Sequence, residues 1–107
     1  MPRRAEVSEL FDLSLAEQHL LWQETTQLAE ALKRSYGADK MNVATLGNVV
    51  SQMHMHVIVR QHDDVAWPAP VWGKCPAVAY TDAQVQAVRA RVRNLHLEGF
   101  QEAAHVA

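Results

Sequence analysis

Two histidines separated by a single residue are the side chains of this chain best suited to chemistry. The stretch QMHMHVIVR, residues 52–60, alternates His54 and His56 with apolar residues. Successive side chains of a β-strand point to opposite faces, so Gln52, His54 and His56 share one face and the methionines and valines share the other. An imidazole can act as a nucleophile, a hydrogen-bond donor or a metal ligand. The sequence therefore predicts a strand over residues 52–60 with a reactive polar face and a buried apolar face.

The residues just upstream can hydrogen-bond phosphate oxygens without adding charge. Asn42 lies 12 positions before His54, and Asn48 of the Gly47-Asn48 pair lies 6 positions before it. Side-chain amides donate hydrogen bonds to oxygen, and glycine adopts the positive φ that tight turns require. Together with Gln52, these residues are candidates for phosphate binding. For both asparagines, a role in a turn or at a strand end is an open alternative.

This pattern resembles the signature of the histidine-triad (HIT) superfamily, His-φ-His-φ-His-φ-φ with φ apolar. Gln52 occupies the position of the first histidine, and the other two histidines match in place. Asn42, the Gly47-Asn48 pair, Arg60 and the Trp67-Pro68 segment also fit the family pattern, so the resemblance covers roughly residues 2–73. It implies a nucleotide-binding α+β fold of HIT type that usually dimerises. The sequence begins where members of the family already have an N-terminal helix and strand hairpin, which usually hold base and ribose, so either this is a shortened form or its true start lies upstream.

The resemblance assigns a role to each histidine. His54 would attack the α-phosphate of a purine nucleotide and form a nucleotidyl-histidine intermediate. The other nitrogen of the His54 ring would donate a hydrogen bond to a backbone carbonyl. His56 would donate to a phosphate oxygen, and no cofactor or metal is required. Gln52 can donate a hydrogen bond but cannot transfer a proton at neutral pH, so we expect a slower or more leaving-group-selective enzyme. His62 could supply the missing acid, although a loop histidine beside two aspartates is typical of a solvated surface.

Two other functional classes stay open. His54 and His56 could ligate a divalent metal ion, with Asp63 or Asp64 completing the ligand set, and the activity would then be lost to chelators. Alternatively, the chain could be a nucleotide-binding module that kept the fold and lost turnover, because Gln52 replaces a histidine.

Length and composition limit the other possibilities. With 107 residues, 49% of them hydrophobic, the chain can form one small domain with one core. A net charge of −2 gives no broad attraction for a polynucleotide or an anionic membrane. The single cysteine rules out an internal disulfide, and no apolar run approaches the roughly 20 residues of a membrane span. The sequence therefore predicts a cytoplasmic protein.

Capping residues in the sequence indicate where the helix that supports the histidines begins and ends. Ser14 followed by Glu17 is a capping-box pattern, and it predicts a helix that runs to about Tyr36, where Gly37 can end it. A short strand is a candidate upstream, at residues 7–10.

The remaining elements follow from turn residues and periodicity. Strands at residues 40–46 and 52–60 should pair antiparallel through a turn at Gly47-Asn48. Three prolines and two tryptophans make residues 61–80 a shaped loop. Within it, residues 67–73 form a wall for a nucleoside, a loop pinned to its own core or, as we favour, an arm that packs on a partner subunit. A capped helix should follow at residues 81–98. The prediction is one HIT-like domain over residues 1–107, an antiparallel sheet packed with two helices, acting as a homodimer.

Overall fold

The computed structural model describes residues 1–2 and 4–102, which fold as two compact units. The first spans Met1–Asp64 and the second begins at Val65. The described elements are a short 3-10 helix at Leu10–Asp12, helix α1 at Leu15–Tyr36, strand β1 at Lys40–Ala44, strand β2 at His56–Arg60 and helix α2 at Asp82–Arg93. Two helices and an antiparallel pair of strands form the predicted α+β fold. The prediction of one domain over the whole chain stays a prediction.

Helix α1 begins and ends where its capping residues predict. The Ser14 hydroxyl accepts a hydrogen bond from the Glu17 amide at 3.2 Å, and the Glu17 carboxylate accepts one from the Ser14 amide at 2.8 Å. The bond from the Ser14 backbone lowers the pKa of Glu17, because it favours the charged carboxylate. At the other end, Gly37 adopts a left-handed conformation with φ 59°, which stops the helix.

The two strands pair antiparallel, with Asn42 opposite Ile58 and Ala44 opposite His56. Helix α1 contacts both strands. Each strand is shorter than predicted: β1 ends at Ala44 rather than residue 46, and β2 begins at His56 rather than residue 52. The ladder stops at this end because other groups take up the backbone hydrogen bonds. The Thr45 hydroxyl, for example, donates to the His54 carbonyl at 2.8 Å.

The core of the first unit is built around Met53, which packs with Val7, Leu13 and Leu21 of α1. Met55 is partly buried against the same cluster. The apolar face of the histidine segment is therefore inward, as alternation predicts. The Met53 amide also donates to the Val7 carbonyl at 2.7 Å, which ties this segment to the start of the chain.

The prediction of a strand at residues 7–10 is wrong. Leu10–Asp12 forms a 3-10 helix instead. Its first turn is held by the Asp12 carboxylate, which accepts a hydrogen bond from the Glu9 amide at 3.0 Å. A short acidic side chain that bonds backbone amides nearby favours a turn over an extended strand.

The second unit contains irregular chain followed by α2. No helix or strand occurs between residues 61 and 80, as the prolines predict, and the Trp67–Pro68 peptide bond is cis. Thr81 and Gln84 form the capping box of α2. The helix ends at Arg93, earlier than the predicted residue 98, and His96 takes a positive φ of 51° that a helix cannot accommodate. None of the described helices is both long and apolar enough to span a membrane.

Candidate active site

The hydrogen bond of His54 defines the chemistry of this site. His54 lies two residues before β2, is half-buried, and places its Nδ1 2.8 Å from the backbone carbonyl oxygen of Gln52. A carbonyl oxygen can only accept, so Nδ1 must carry the hydrogen. In the neutral imidazole the lone pair then lies on Nε2. The backbone therefore selects the tautomer in which Nε2 can act as a nucleophile.

His56 stands next to His54. It is the first residue of β2, and the two ring centroids are 4.9 Å apart with an interplanar angle of 71°, an edge-to-face arrangement. The structure therefore brings together the two imidazoles that the sequence places in one row.

Gln52 contributes both its backbone and its side chain. Its carbonyl holds His54, while its Nε2 donates to the Arg4 carbonyl at 3.1 Å. An amide nitrogen carries two hydrogens, so one N–H is engaged by the protein and the second is left for another acceptor. Gln52 is thus a half-buried donor that cannot supply a proton.

Asn42 is held by a charged neighbour that sequence reasoning had named only as part of the family pattern. The Asn42 Oδ1 accepts a hydrogen bond of 2.8 Å from Nη1 of Arg60, whose residue surface is only 1% exposed. The same guanidinium donates from Nε to Asp64 Oδ2 at 2.8 Å and from Nη2 to Asp64 Oδ1 at 3.1 Å. The bond to Asp64 raises the pKa of Arg60. The sequence did contain a signal for this ion pair: Arg60 continues the polar face of the strand, and Asp64 follows it four residues later.

This ion pair weighs against the metal alternative. Both carboxylate oxygens of Asp64 accept hydrogen bonds from Arg60, so Asp64 is not free to complete a metal site with the histidines. Within residues 1–2 and 4–102, no three His, Cys, Asp or Glu side chains are grouped so that they could hold a metal ion.

The loop between the strands carries the remaining phosphate-binding candidates. Gly47 has φ 73°, a conformation that suits glycine, and Asn48 beside it is exposed. Their assignment to phosphate binding stays a prediction.

His62 lies beyond the other end of β2. Its side chain is 68% exposed, and its backbone amide donates to the Asp39 carboxylate at 2.9 Å. His54 precedes β2 and His62 follows it, so the whole strand separates the two side chains. At about 3.3 Å per residue, the distance between them is well beyond the reach of direct proton transfer. The structure therefore agrees with the interpretation of His62 as a surface residue.

Comparison with known proteins identifies a family. The HIT domain family matches residues 1–63. No curated protein matches the chain. Among solved structures, a histidine triad protein of Marinobacter aquaeolei is 46% identical, with a TM-score of 0.82 over 88% of this chain and 69% of its own. Histidine triad proteins of Sinorhizobium meliloti and Bradyrhizobium japonicum are each 40% identical, with TM-scores of 0.81 over 87% of this chain and 69% of theirs.

The family match covers more than half of the chain. The solved structures are similar to it in both sequence and fold. Sequence, fold and site together place this chain in the histidine-triad (HIT) domain family.

Proposed function

We propose that this protein is a nucleotide hydrolase or transferase that cleaves at the α-phosphate of a purine nucleoside phosphoramidate or dinucleoside polyphosphate. Members of the HIT family are generally nucleotide-binding hydrolases and transferases. The observation that carries the proposal is the 2.8 Å contact between His54 Nδ1 and the Gln52 carbonyl, because in the neutral imidazole it places the lone pair on Nε2, the atom that would attack.

The reaction proceeds in two displacements. The lone pair of His54 Nε2 attacks the α-phosphorus, and the bond from phosphorus to the leaving nitrogen or oxygen breaks. The leaving group takes the electron pair of that bond, and a leaving nitrogen also takes a proton from solvent. The ring becomes a cationic nucleotidyl-imidazole, and the Gln52 carbonyl stabilises it through the Nδ1 hydrogen. Water then attacks the same phosphorus, the electron pair of the P–N bond returns to Nε2, and the water loses a proton to solvent as the nucleoside monophosphate leaves.

The neighbouring residues bind the phosphate in this proposal. His56 donates to a phosphate oxygen, and Gln52, Asn42 and Asn48 supply amide donors, with Gly47 shaping the loop. No cofactor takes part. Since Gln52 cannot protonate the leaving group, substrates whose leaving group is already a good one should react fastest.

A second candidate is a nucleotide-binding module with little or no turnover, which the glutamine at position 52 favours. In either case we expect a homodimer in the cytoplasm. The segment from Trp67 to Gly73 would then serve as an arm on the partner, since Trp72 is exposed within its own unit.

The test is intact mass spectrometry after brief incubation with adenosine phosphoramidate and a quench in mild alkali, which preserves bonds between phosphorus and histidine. We expect one adenylyl group on the wild type and none on His54→Ala. His62→Ala is the matched control, and it should form the adduct like the wild type because its side chain lies on the exposed surface.

Release of AMP should continue in excess EDTA. An adduct on both the wild type and His54→Ala would refute the assignment of the nucleophile, and activity lost to EDTA would restore the metal alternative. AMP binding without adduct or product would favour the inactive module.

A further inference from the structure

The buried guanidinium of Arg60 hydrogen-bonds Asn42, one of the proposed phosphate-binding residues. We propose that Arg60 is a positioning residue that orients the Asn42 amide so that its Nδ2 donor, rather than its oxygen, is offered to the substrate phosphate. This inference rests on the proposed function, since Asn42 is one of its phosphate donors.

The strand register places Asn42 between Arg60 and His56. Asn42 is opposite Ile58, and the residues two positions either side of Ile58 on the same face of β2 are His56 and Arg60. Diagonal neighbours in an antiparallel pair lie about 7–8 Å apart, which long side chains can bridge. The Asn42 side chain is therefore within reach of a group bound at the imidazoles and of the guanidinium.

Arg60 has little freedom of its own. Its residue surface is 1% exposed, and Asp64 accepts from both Nε and Nη2. A guanidinium held at two corners by a carboxylate presents its remaining nitrogen in a fixed direction. That nitrogen, Nη1, donates to Asn42 Oδ1 at 2.8 Å.

This contact determines which end of the amide remains for a ligand. Arginine has donors and no acceptor, so only Oδ1 of Asn42 can face it. The amide is planar, and fixing Oδ1 directs Nδ2 away from Nη1. Among the described residues no group hydrogen-bonds Nδ2, and no unpartnered side-chain nitrogen or oxygen is buried, so Nδ2 reaches solvent. Arg60 thus selects the donor end of an amide that would otherwise be able to turn its oxygen toward an anion.

The selective variant is Asn42→Asp. The aspartate keeps an oxygen for Arg60 but lacks the Nδ2 donor, so folding should be maintained while one hydrogen bond to the phosphate is lost. We expect a melting temperature no lower than that of the wild type and a fall in kcat/KM for adenosine phosphoramidate of about 10- to 100-fold, the value of a hydrogen bond to a charged group. Undiminished activity in Asn42→Asp would overturn the inference.

A double-mutant cycle separates positioning from mere support of the fold. Arg60→Lys keeps the charge but lacks the fork, and its loss of kcat/KM should disappear in the Asn42→Ala background because it acts through that amide. Equal losses in both backgrounds would show that Arg60 acts by another route. Arg34→Lys is the control, since Arg34 forms an exposed pair with Glu30 on α1 and should leave activity unchanged.

The same experiments distinguish failure of this inference from failure of the proposed function. Adduct formation on His54 with additive effects at Asn42 and Arg60 would leave the function standing and refute the positioning. If the wild type binds AMP without turnover, the cycle is measured on the Kd for AMP by calorimetry, with the same two outcomes. Absence of both binding and turnover would refute the function and this inference together.

Discussion

Replacing Met53 by alanine should destabilise the first unit strongly, because this side chain occupies the centre of its core. Met53 is only 1% exposed and packs with Val7, Leu13 and Leu21. Truncation at Cβ removes side-chain burial that stabilises the fold by about 1.5–3 kcal/mol. The cavity left behind adds to this, and such substitutions cost about 2–5 kcal/mol in total.

The assay is thermal unfolding followed by circular dichroism. For a domain of this size, each 1 kcal/mol lowers the melting temperature by roughly 4–8 °C, so Met53→Ala should melt about 10 °C or more below the wild type. Activity should fall as well. In the sequence Met53 lies between Gln52 and His54, so a shift of its backbone would disturb the hydrogen bond between the Gln52 carbonyl and the His54 ring. The stability measurement alone tests the packing argument.

Two variants serve as controls. Met53→Leu nearly conserves volume and should cost less than about 1.5 kcal/mol. Val49→Ala changes a loop residue that is 97% exposed and should stay within about 0.5 kcal/mol of the wild type. The reasoning would be refuted if Met53→Ala melted no lower than Val49→Ala.

Two further predictions concern the helices. Ser14→Ala removes the hydroxyl that accepts a hydrogen bond from the Glu17 amide, and it should lower the melting temperature by about 4–8 °C, the effect of roughly 1 kcal/mol. Ser14→Asp keeps a capping oxygen and should not lower the melting temperature. Equal melting temperatures for the two variants would contradict the role of Ser14 as a cap. In the second unit, hydrogen bonds from Arg93 and Arg89 lower the pKa of Glu102 to about 2. Because this folded-state pKa lies below the ordinary 4.5, the interaction stabilises the folded state above about pH 4.5, and the stabilisation is lost as the pH falls toward 2. NMR titration of the Glu102 carboxyl carbon checks this, and a midpoint near 4.5 would contradict it.

Local sequence was sufficient where the deciding interactions are local. The bounds of α1 follow from Ser14 and Glu17 at one end and Gly37 at the other, within a few residues of the backbone that they cap. The alternation of His54 and His56 with apolar residues predicted both the paired imidazoles and the buried Met53. Propensity and periodicity are properties of the chain itself, so they can be read without the fold.

Partners distant in sequence decided the rest. β2 begins at His56 rather than at residue 52 because the preceding segment bonds elsewhere: the Met53 amide to the Val7 carbonyl and the Gln52 side chain to the Arg4 carbonyl. The sequence named Arg60 only as part of the family pattern. The strand register brings it next to Asn42, 18 positions away in the sequence. Hydrogen bonds between residues so far apart depend on the packing of α1 and the two strands. The sequence by itself determined which residues could react, and only the tertiary structure decided which amide, carbonyl and guanidinium orient them.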